Sequence, residues 1–372
     1  MGGLAGPPGP AVGGAEKERS GGSTLRAAIR GILLPALIAT VNGVAFVAVY
    51  TAAFHQPVPH DLPVAVVGSA QQATAAQQQL SKAAAGRFEV VRYAQAGPAT
   101  EALTSHDVFG VLDLTGTPAK LLVAGANGQS VTQTVSQALG PVAQAGGQPP
   151  QVQDVRPLVP GDSRGLALFY AAFGVVLGGF LFGISSFASA PKLLLRWRIV
   201  SIVLFALLGG SIIGWLADVV YAALPAGFWL VSSIVALLAT ACGATAAVLF
   251  RLVGSAGQVL TSIGLVIIGN ASSTGTLPAQ FLPGWMEPLA HVLPSGVAVR
   301  ALRGATYFDD DGVRYAWVVL GLWTVVPLLV IGGLDAVQRR RQAHGRHEPD
   351  GSAGQVPAPD LLPGGGARPQ PT

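Results

Sequence analysis

Between Leu166 and Asn270 lie four apolar blocks with almost no charge inside them, and this stretch leaves the chain few architectures to choose from. The blocks are Leu166–Ala190, Ile199–Ala222, Phe228–Phe250 and Val259–Asn270. Lys192, Arg196 and Arg198 separate the first two, Leu224-Pro225-Ala226-Gly227 the next two, and Arg251 with Gly254 and Gly257 the last two. A helix needs roughly 20 apolar residues to cross the hydrocarbon core of a bilayer. The first three blocks have that length, and the fourth reaches it by starting near Leu252. A helix at the edge of a soluble core keeps a polar face for water, and these blocks have none. Charged residues make up only 11% of the chain, against about 25% in a soluble domain. The stretch belongs in lipid.

The rest of the chain falls into place around it. Residues 1–23 are rich in Gly, Pro, Ala and Ser and predict a disordered cytoplasmic tail. Arg26 and Arg30 then precede Gly31–Phe54, an uncharged run too long for a signal peptide, so residues 24–54 read as a first transmembrane helix. Residues 55–163 change character: strand-like runs at Leu62–Val67, Phe88–Tyr93, Val108–Leu114, Lys120–Ala124 and Val152–Val159 alternate with helix-like ones at Gln71–Ala85, Pro98–Ser105 and Ser130–Ala145. Such alternation predicts a small α/β domain inserted between the first and second spans. Residues 164–338 read as a five-helix membrane domain whose last span, Tyr315–Leu334, contains Pro327 and ends before Arg339-Arg340-Arg341; residues 339–372 read as a second disordered cytoplasmic tail.

The expected fold class is therefore a polytopic α-helical membrane protein with six transmembrane helices and an extracytoplasmic α/β domain. Counting Lys and Arg at the ends of the spans places both termini in the cytoplasm, with the plasma membrane as the expected location. The same basic residues serve as topology signals rather than as a phosphate-binding patch, so the lipid bilayer and not a nucleic acid is the expected surrounding.

Catalytic and cofactor chemistry finds no foothold. No lysine among Lys17, Lys82, Lys120 and Lys192 sits in a phosphate-binding Gly-rich loop, no His-Glu-x-x-His pair occurs, and Gly-x-Ser-x-Gly is absent. Cys242, the single cysteine, lies inside an apolar block and reads as a packing residue. The histidines are dispersed; His55, His60 and His291 could meet at the outer membrane face, but ordinary interfacial polar residues explain them as well. Neither an enzyme nor a bound cofactor or metal is expected. Asp218 is the one acidic residue inside an inner span, a costly position that raises a substrate- or proton-linked role; it also lies near the outer end of its helix, where it can reach water. Gly178-Gly179, Gly183, Gly209-Gly210 and Gly214 recur at a spacing that lets helices approach closely, either within one subunit or across a dimer.

Prolines interrupt the stretch before the last span every five or six residues, which no continuous helix survives. Residues 275–312 therefore predict short helices that dip into the outer leaflet and turn back. Pro278, Pro283, Glu287, Pro294, Arg300 and Arg303 in this segment, together with Asp218, are the candidate residues of a transport path or gate. Pro278-x-x-x-x-Pro283, then Leu293-Pro294, then Ala301-Leu302-Arg303-Gly304 resembles the signature before the last helix of ABC-2 type membrane permeases, in particular the YhgE/Pip and DUF3533-like branch. Ile32-Leu33-Leu34-Pro35 in the first helix and Leu62-Pro63-Val64-Ala65-Val66-Val67 at the start of the outer domain are similar to that branch, as is the layout of one early helix, an outer α/β domain and five further helices. The resemblance implies a permease subunit that forms a homodimer or heterodimer and exports a hydrophobic or amphiphilic substrate, with ATP hydrolysed by a separate ATP-binding subunit. A membrane-anchored receptor, or an envelope or secretion assembly factor without transport, is the alternative.

Overall fold

The computed structural model describes residues 13–144, 147–191 and 193–345, with side-chain surroundings for those between 31 and 340. Helix α1 runs from Gly13 to Phe54. It thus covers Gly13–Ser23, part of the tail expected to be disordered. The reason is local: Ala15-Glu16-Lys17-Glu18-Arg19 are good helix formers, and lengthening an existing helix avoids the cost of nucleation. The remainder of that tail, residues 1–12, lies outside the described residues. The same correction applies at the far end, where α11, Val313–Gly345, continues through the arginine cluster; residues 346–372 of the second expected tail lie outside the described residues.

Five helices among the described residues are long and apolar enough to cross a membrane: Gly31–Phe54 of α1; α5, Ala167–Ser189; α6, Leu195–Gly214, with the π-helical turns that prolong it to Val220; α7, Phe228–Val253; and Val313–Arg340 of α11. The fourth apolar block is shorter than the sequence implies. Gly254, at a φ of 61° open mainly to glycine, ends α7 directly after Val253. Leu252 therefore belongs to α7, and the next helix starts only at Ser255, as α8 (Ser255–Thr261) followed by π-helical turns through Gly269. At about 1.5 Å per residue that piece spans roughly 22 Å, against ~30 Å of hydrocarbon.

Helix α7 is the axis of the membrane bundle, and it is packed by glycine. A Cβ on Gly183 of α5 would stand 2.5 Å from the Ala246 Cβ and 2.8 Å from the Gly243 carbonyl oxygen, and one on Gly179 2.8 Å from Cys242. From the opposite side, Gly210 of α6 faces Ala236 and the Ser232 carbonyl oxygen, and Gly214 meets Ser232 itself. Gly178 and Gly209 look instead toward Phe205, with room to spare. The glycine spacing is thus used within the chain, to seat α5 and α6 on α7.

Residues 62–154 form a five-stranded sheet in the order β2-β1-β3-β4-β5, with β1 Leu62–Val67, β2 Phe88–Tyr93, β3 Val111–Asp113, β4 Lys120–Val123 and β5 Gln151–Asp154. Strand β1 runs parallel to both β2 and β3, β3 and β4 are antiparallel, and β4 and β5 are parallel. Parallel neighbours require crossovers. These are α2 (Ala70–Ala83), α3 (Ala96–Thr104) and α4 (Gln129–Gln144). Ser69 starts α2 with a capping box, its hydroxyl accepting from Gln72 N–H while the Gln72 side chain accepts from Ser69 N–H.

Side chains alternate along β1. Leu62, Val64 and Val66 enter an apolar layer with α2 and α4, while Ala65 and Val67 enter one on the opposite face with α3. Both layers are completed from far along the chain: Leu277 and Phe281 join the first, Tyr307 and Phe308 the second. The segment that supplies them comprises a 3₁₀ turn at Ala279–Phe281, α9 (Glu287–Val292) and α10 (Pro294–Tyr307). Helix α10 is largely buried, contributing Val297, Ala298, Val299, Ala301 and Leu302 to the core that holds α5 and α7.

Candidate functional site

The sheet and the proline-rich segment share a polar pocket of about 210 Å³. Its rim carries Ser105, Asp107, His291 and Arg300; its floor includes the buried Asn127 and Arg303. Pro278, Ala279 and Gln280 close one side.

Each floor residue is placed by its own local structure. Pro294 sits in the first turn of α10, where a missing N–H costs nothing, and Ser295 Oγ donates to the Gly269 carbonyl at 2.6 Å, fixing the helix start. Three turns on, Arg303 points inward. One of its terminal nitrogens, Nη2, donates to the carbonyls of Thr274 at 2.7 Å and Gly275 at 3.3 Å, but its Nε is buried with no acceptor. Asn127 ends the 3₁₀ turn Gly125–Asn127, which is held by Asp154 accepting from Gly125 N–H at 2.9 Å. Its side chain is 3% exposed, and its Nδ2 also lacks a partner.

His106 reaches the pocket through a left-handed backbone, φ 64°, at the end of the turn after α3. Its ring packs at a tilt of 53° against Phe308, centroids 4.0 Å apart, with Nδ1 3.5 Å from the Asp311 carboxylate but without a hydrogen bond. Burial lowers its pKa to about 4; the charges of Arg303 and Arg300 push the same way, and Asp311 pulls against them. At neutral pH the ring is uncharged, so its contact with Asp311 is not an ion pair. Arg300 is the partner of that carboxylate, at 3.2 Å. Arg156, just past β5, binds Asp309 at 2.6 Å and ties the sheet to the turn after α10.

Of the residues singled out in the sequence, Pro278, Arg300 and Arg303 come together here. Pro294 acts one step back, as the start of α10. Pro283 and the exposed Glu287 lie outside the pocket lining. Asp218 is elsewhere: its carboxylate accepts from Gly227 N–H at 3.2 Å, closing the turn that leads into α7. A carboxylate at a helix N-terminus is favourable for electrostatic reasons alone. Asp218→Asn, which keeps an acceptor, is expected to cost no more than about 1 kcal/mol and to leave function intact; abolished function in a variant of native thermal stability would restore the substrate- or proton-linked role.

His106 and Asn127 escaped the sequence reading. Neither belongs to a motif, and Arg303 is separated from both by well over a hundred residues. His55 and His60 do not join His291 in a cluster: His55 Nδ1 contacts the Thr51 carbonyl and His60 Nδ1 that of Gln280, and no group of three metal-ligating side chains occurs among the described residues.

Five helices of this length and apolarity define the class: a multi-pass helical membrane protein. Comparison with known proteins adds no family to that, because no family model, curated protein or solved structure matches the chain.

Proposed function

We propose that the chain crosses the plasma membrane six times, with α8 and its π-helical extension as the fifth crossing, both termini in the cytoplasm and the α/β sheet on the extracytoplasmic side. We further propose that it is the permease subunit of an ABC-2 type exporter, acting as a dimer on a hydrophobic or amphiphilic substrate with a separate ATPase. The observation that carries this reading is the sharing of side chains between the sheet and the segment before the last span. Leu277 and Phe281 fill one face of the sheet, Tyr307 and Phe308 the other. A shift of the outer layer therefore displaces α10, and α10 is embedded against α5 and α7. An outer domain linked in this way is suited to opening and closing a path between the spans. The exposed apolar face of α1, from Ile32 to Val47, is available to lipid or to a second subunit.

A second reading, a receptor or an envelope or secretion assembly factor, draws support from the short connections on the opposite side. Only residues 190–194 separate α5 from α6, and Gly254 alone separates α7 from α8, which leaves an ATPase little to grip. Affinity isolation of the intact protein in mild detergent decides between them. A P-loop ATPase in stoichiometric amount is the expected result. Secretion or cell-wall proteins without an ATPase would replace the export reading with the second. The topology is checked in the same cells. Cys242 is buried, so in Gln78→Cys the new, exposed thiol is the one a membrane-impermeant maleimide should modify; labelling only after permeabilisation would invert the arrangement.

A further inference from the structure

A second cleft, of about 280 Å³, lies on the face of the sheet that carries α2 and α4. Its position follows from the strand order. Strands β1 and β3 are parallel neighbours, paired as far as Val67 and Asp113. Beyond these carboxyl ends their connections part: that of β1 enters α2 and leads to β2, while residues 114–119 turn β3 back into antiparallel β4. A crevice left where connections diverge in this way is where open α/β sheets hold ligands. Ala75 and Ala76 of α2 and Ala143 near the end of α4 supply apolar lining. The polar groups are the amides of Gln79 and Gln148 and the Thr117 hydroxyl. All three belong to exposed residues, and none has a hydrogen-bond partner among the described residues.

We propose that this cleft binds one neutral sugar ring, hydrogen-bonded by Gln79, Gln148 and Thr117 with its C–H face on the alanines. Among the described residues no charged and no aromatic side chain lines it. A phosphate, carboxylate or ammonium would lose water there without meeting an opposite charge, and a flat aromatic ring would find nothing to stack on. An extended peptide pairs with a sheet edge, whereas β1 and β3 are interior strands. Amides and a hydroxyl carry donor and acceptor together, and vicinal hydroxyls answer with the same pair. The volume, roughly that of nine waters at ~30 Å³ each, suits a single ring. The cleft lies at the end of β1 away from α1, and six residues of strand set it about 20 Å off, beyond a lipid headgroup beside that helix. The sugar is therefore a free solute or one ring of a longer glycan. The inference stands on the sheet alone and holds whether or not the protein partners an ATPase.

The test uses full-length protein in phosphatidylcholine nanodiscs, which contain no sugar, and reads saturation transfer to ligand protons by NMR. Glucose, galactose, mannose and N-acetylglucosamine are the free probes; maltotriose and chitotriose are the glycan probes. At least one should show saturable transfer, half-saturated at about 1 mM as suits a ligand of this size, with none from empty nanodiscs. Ala75→Trp, at an exposed position, should fill the cleft and abolish the transfer. Gln79→Leu, of similar volume but without the amide, should raise the half-saturating concentration about fivefold, and it serves alone if the tryptophan variant does not fold. Transfer to a monosaccharide shows that a free sugar suffices; transfer to a trisaccharide alone assigns the cleft to a ring within a glycan. No saturable transfer to any probe, or transfer left unchanged in either folded variant, overturns the proposal.

Discussion

Gly183→Val is expected to cost the membrane bundle about 3 kcal/mol or more, while Gly178→Val, five residues earlier on the same helix, should be nearly neutral. The two substitutions make the same chemical change and meet opposite surroundings. At Gly183 the first added carbon already stands 2.5 Å from the Ala246 Cβ and 2.8 Å from the Gly243 carbonyl oxygen, both on α7. Neither neighbour can rotate away, so α5 and α7 must part along their length. At Gly178 the nearest atom is the tip of Phe205, 3.7 Å off, and a side chain there recovers part of the helix propensity that glycine forfeits, up to ~1 kcal/mol. Thermal unfolding of the two purified variants measures the contrast. Equal stabilities would mean that the α5–α7 contact is not made as described, and loss only in the Gly178 variant would shift the packing face to a partner subunit.

Stability should also fall as the pH is lowered from about 6.5 to 4, through His106. Its folded-state pKa is pushed down to about 4 by burial in the first place and by Arg303 in the second, whereas in the unfolded chain it returns to about 6.5. Between those values the unfolded state binds the extra proton, so acid favours unfolding. Above pH 6.5 both states are neutral and the penalty vanishes; below 4 both are protonated and it stops growing. The cost at pH 5 is on the order of 2 kcal/mol. His106→Asn suits the test, because asparagine tolerates the left-handed backbone at this position and does not titrate. The difference in Tm between pH 7.5 and pH 5 should be smaller in the variant than in the parent. An unchanged difference would show that His106 titrates normally in the folded protein.

Local pattern revealed much of this architecture. Strands Leu62–Val67 and Phe88–Tyr93 stand where valine-rich runs bounded by turn residues place them, and α2 and α4 begin and end within two residues of the runs of helix formers that announce them. The lengths that went astray did so at ends. Tails rich in Gly, Pro and small polar residues point to disorder, although Glu16–Arg19 and Arg339–Arg341 within them are good helix formers adjoining a helix already nucleated. Gly254 divides an apolar stretch that hydropathy alone runs together. The pocket was half visible: arginines within a proline-broken apolar segment drew notice to Arg300 and Arg303. What they face was not, since His106 and Asn127 come from loops of the sheet, and sequence periodicity carries no information about contacts across such separations. Asp218 shows the converse. Its place in an apolar run draws attention to the carboxylate, but nothing in the pattern announces that it accepts from the backbone N–H of Gly227, nine residues away.

Leu277, Phe281, Tyr307 and Phe308 also set the order in which the protein can mature. A ribosome that has released everything up to residue 163 has made all five strands but none of these four side chains. Until they arrive, both apolar surfaces of the nascent sheet stay partly bare, a state prone to self-association. The sheet is thus no independent module to be cut out and crystallised; it finishes folding only when the chain behind it has been made nearly to its end.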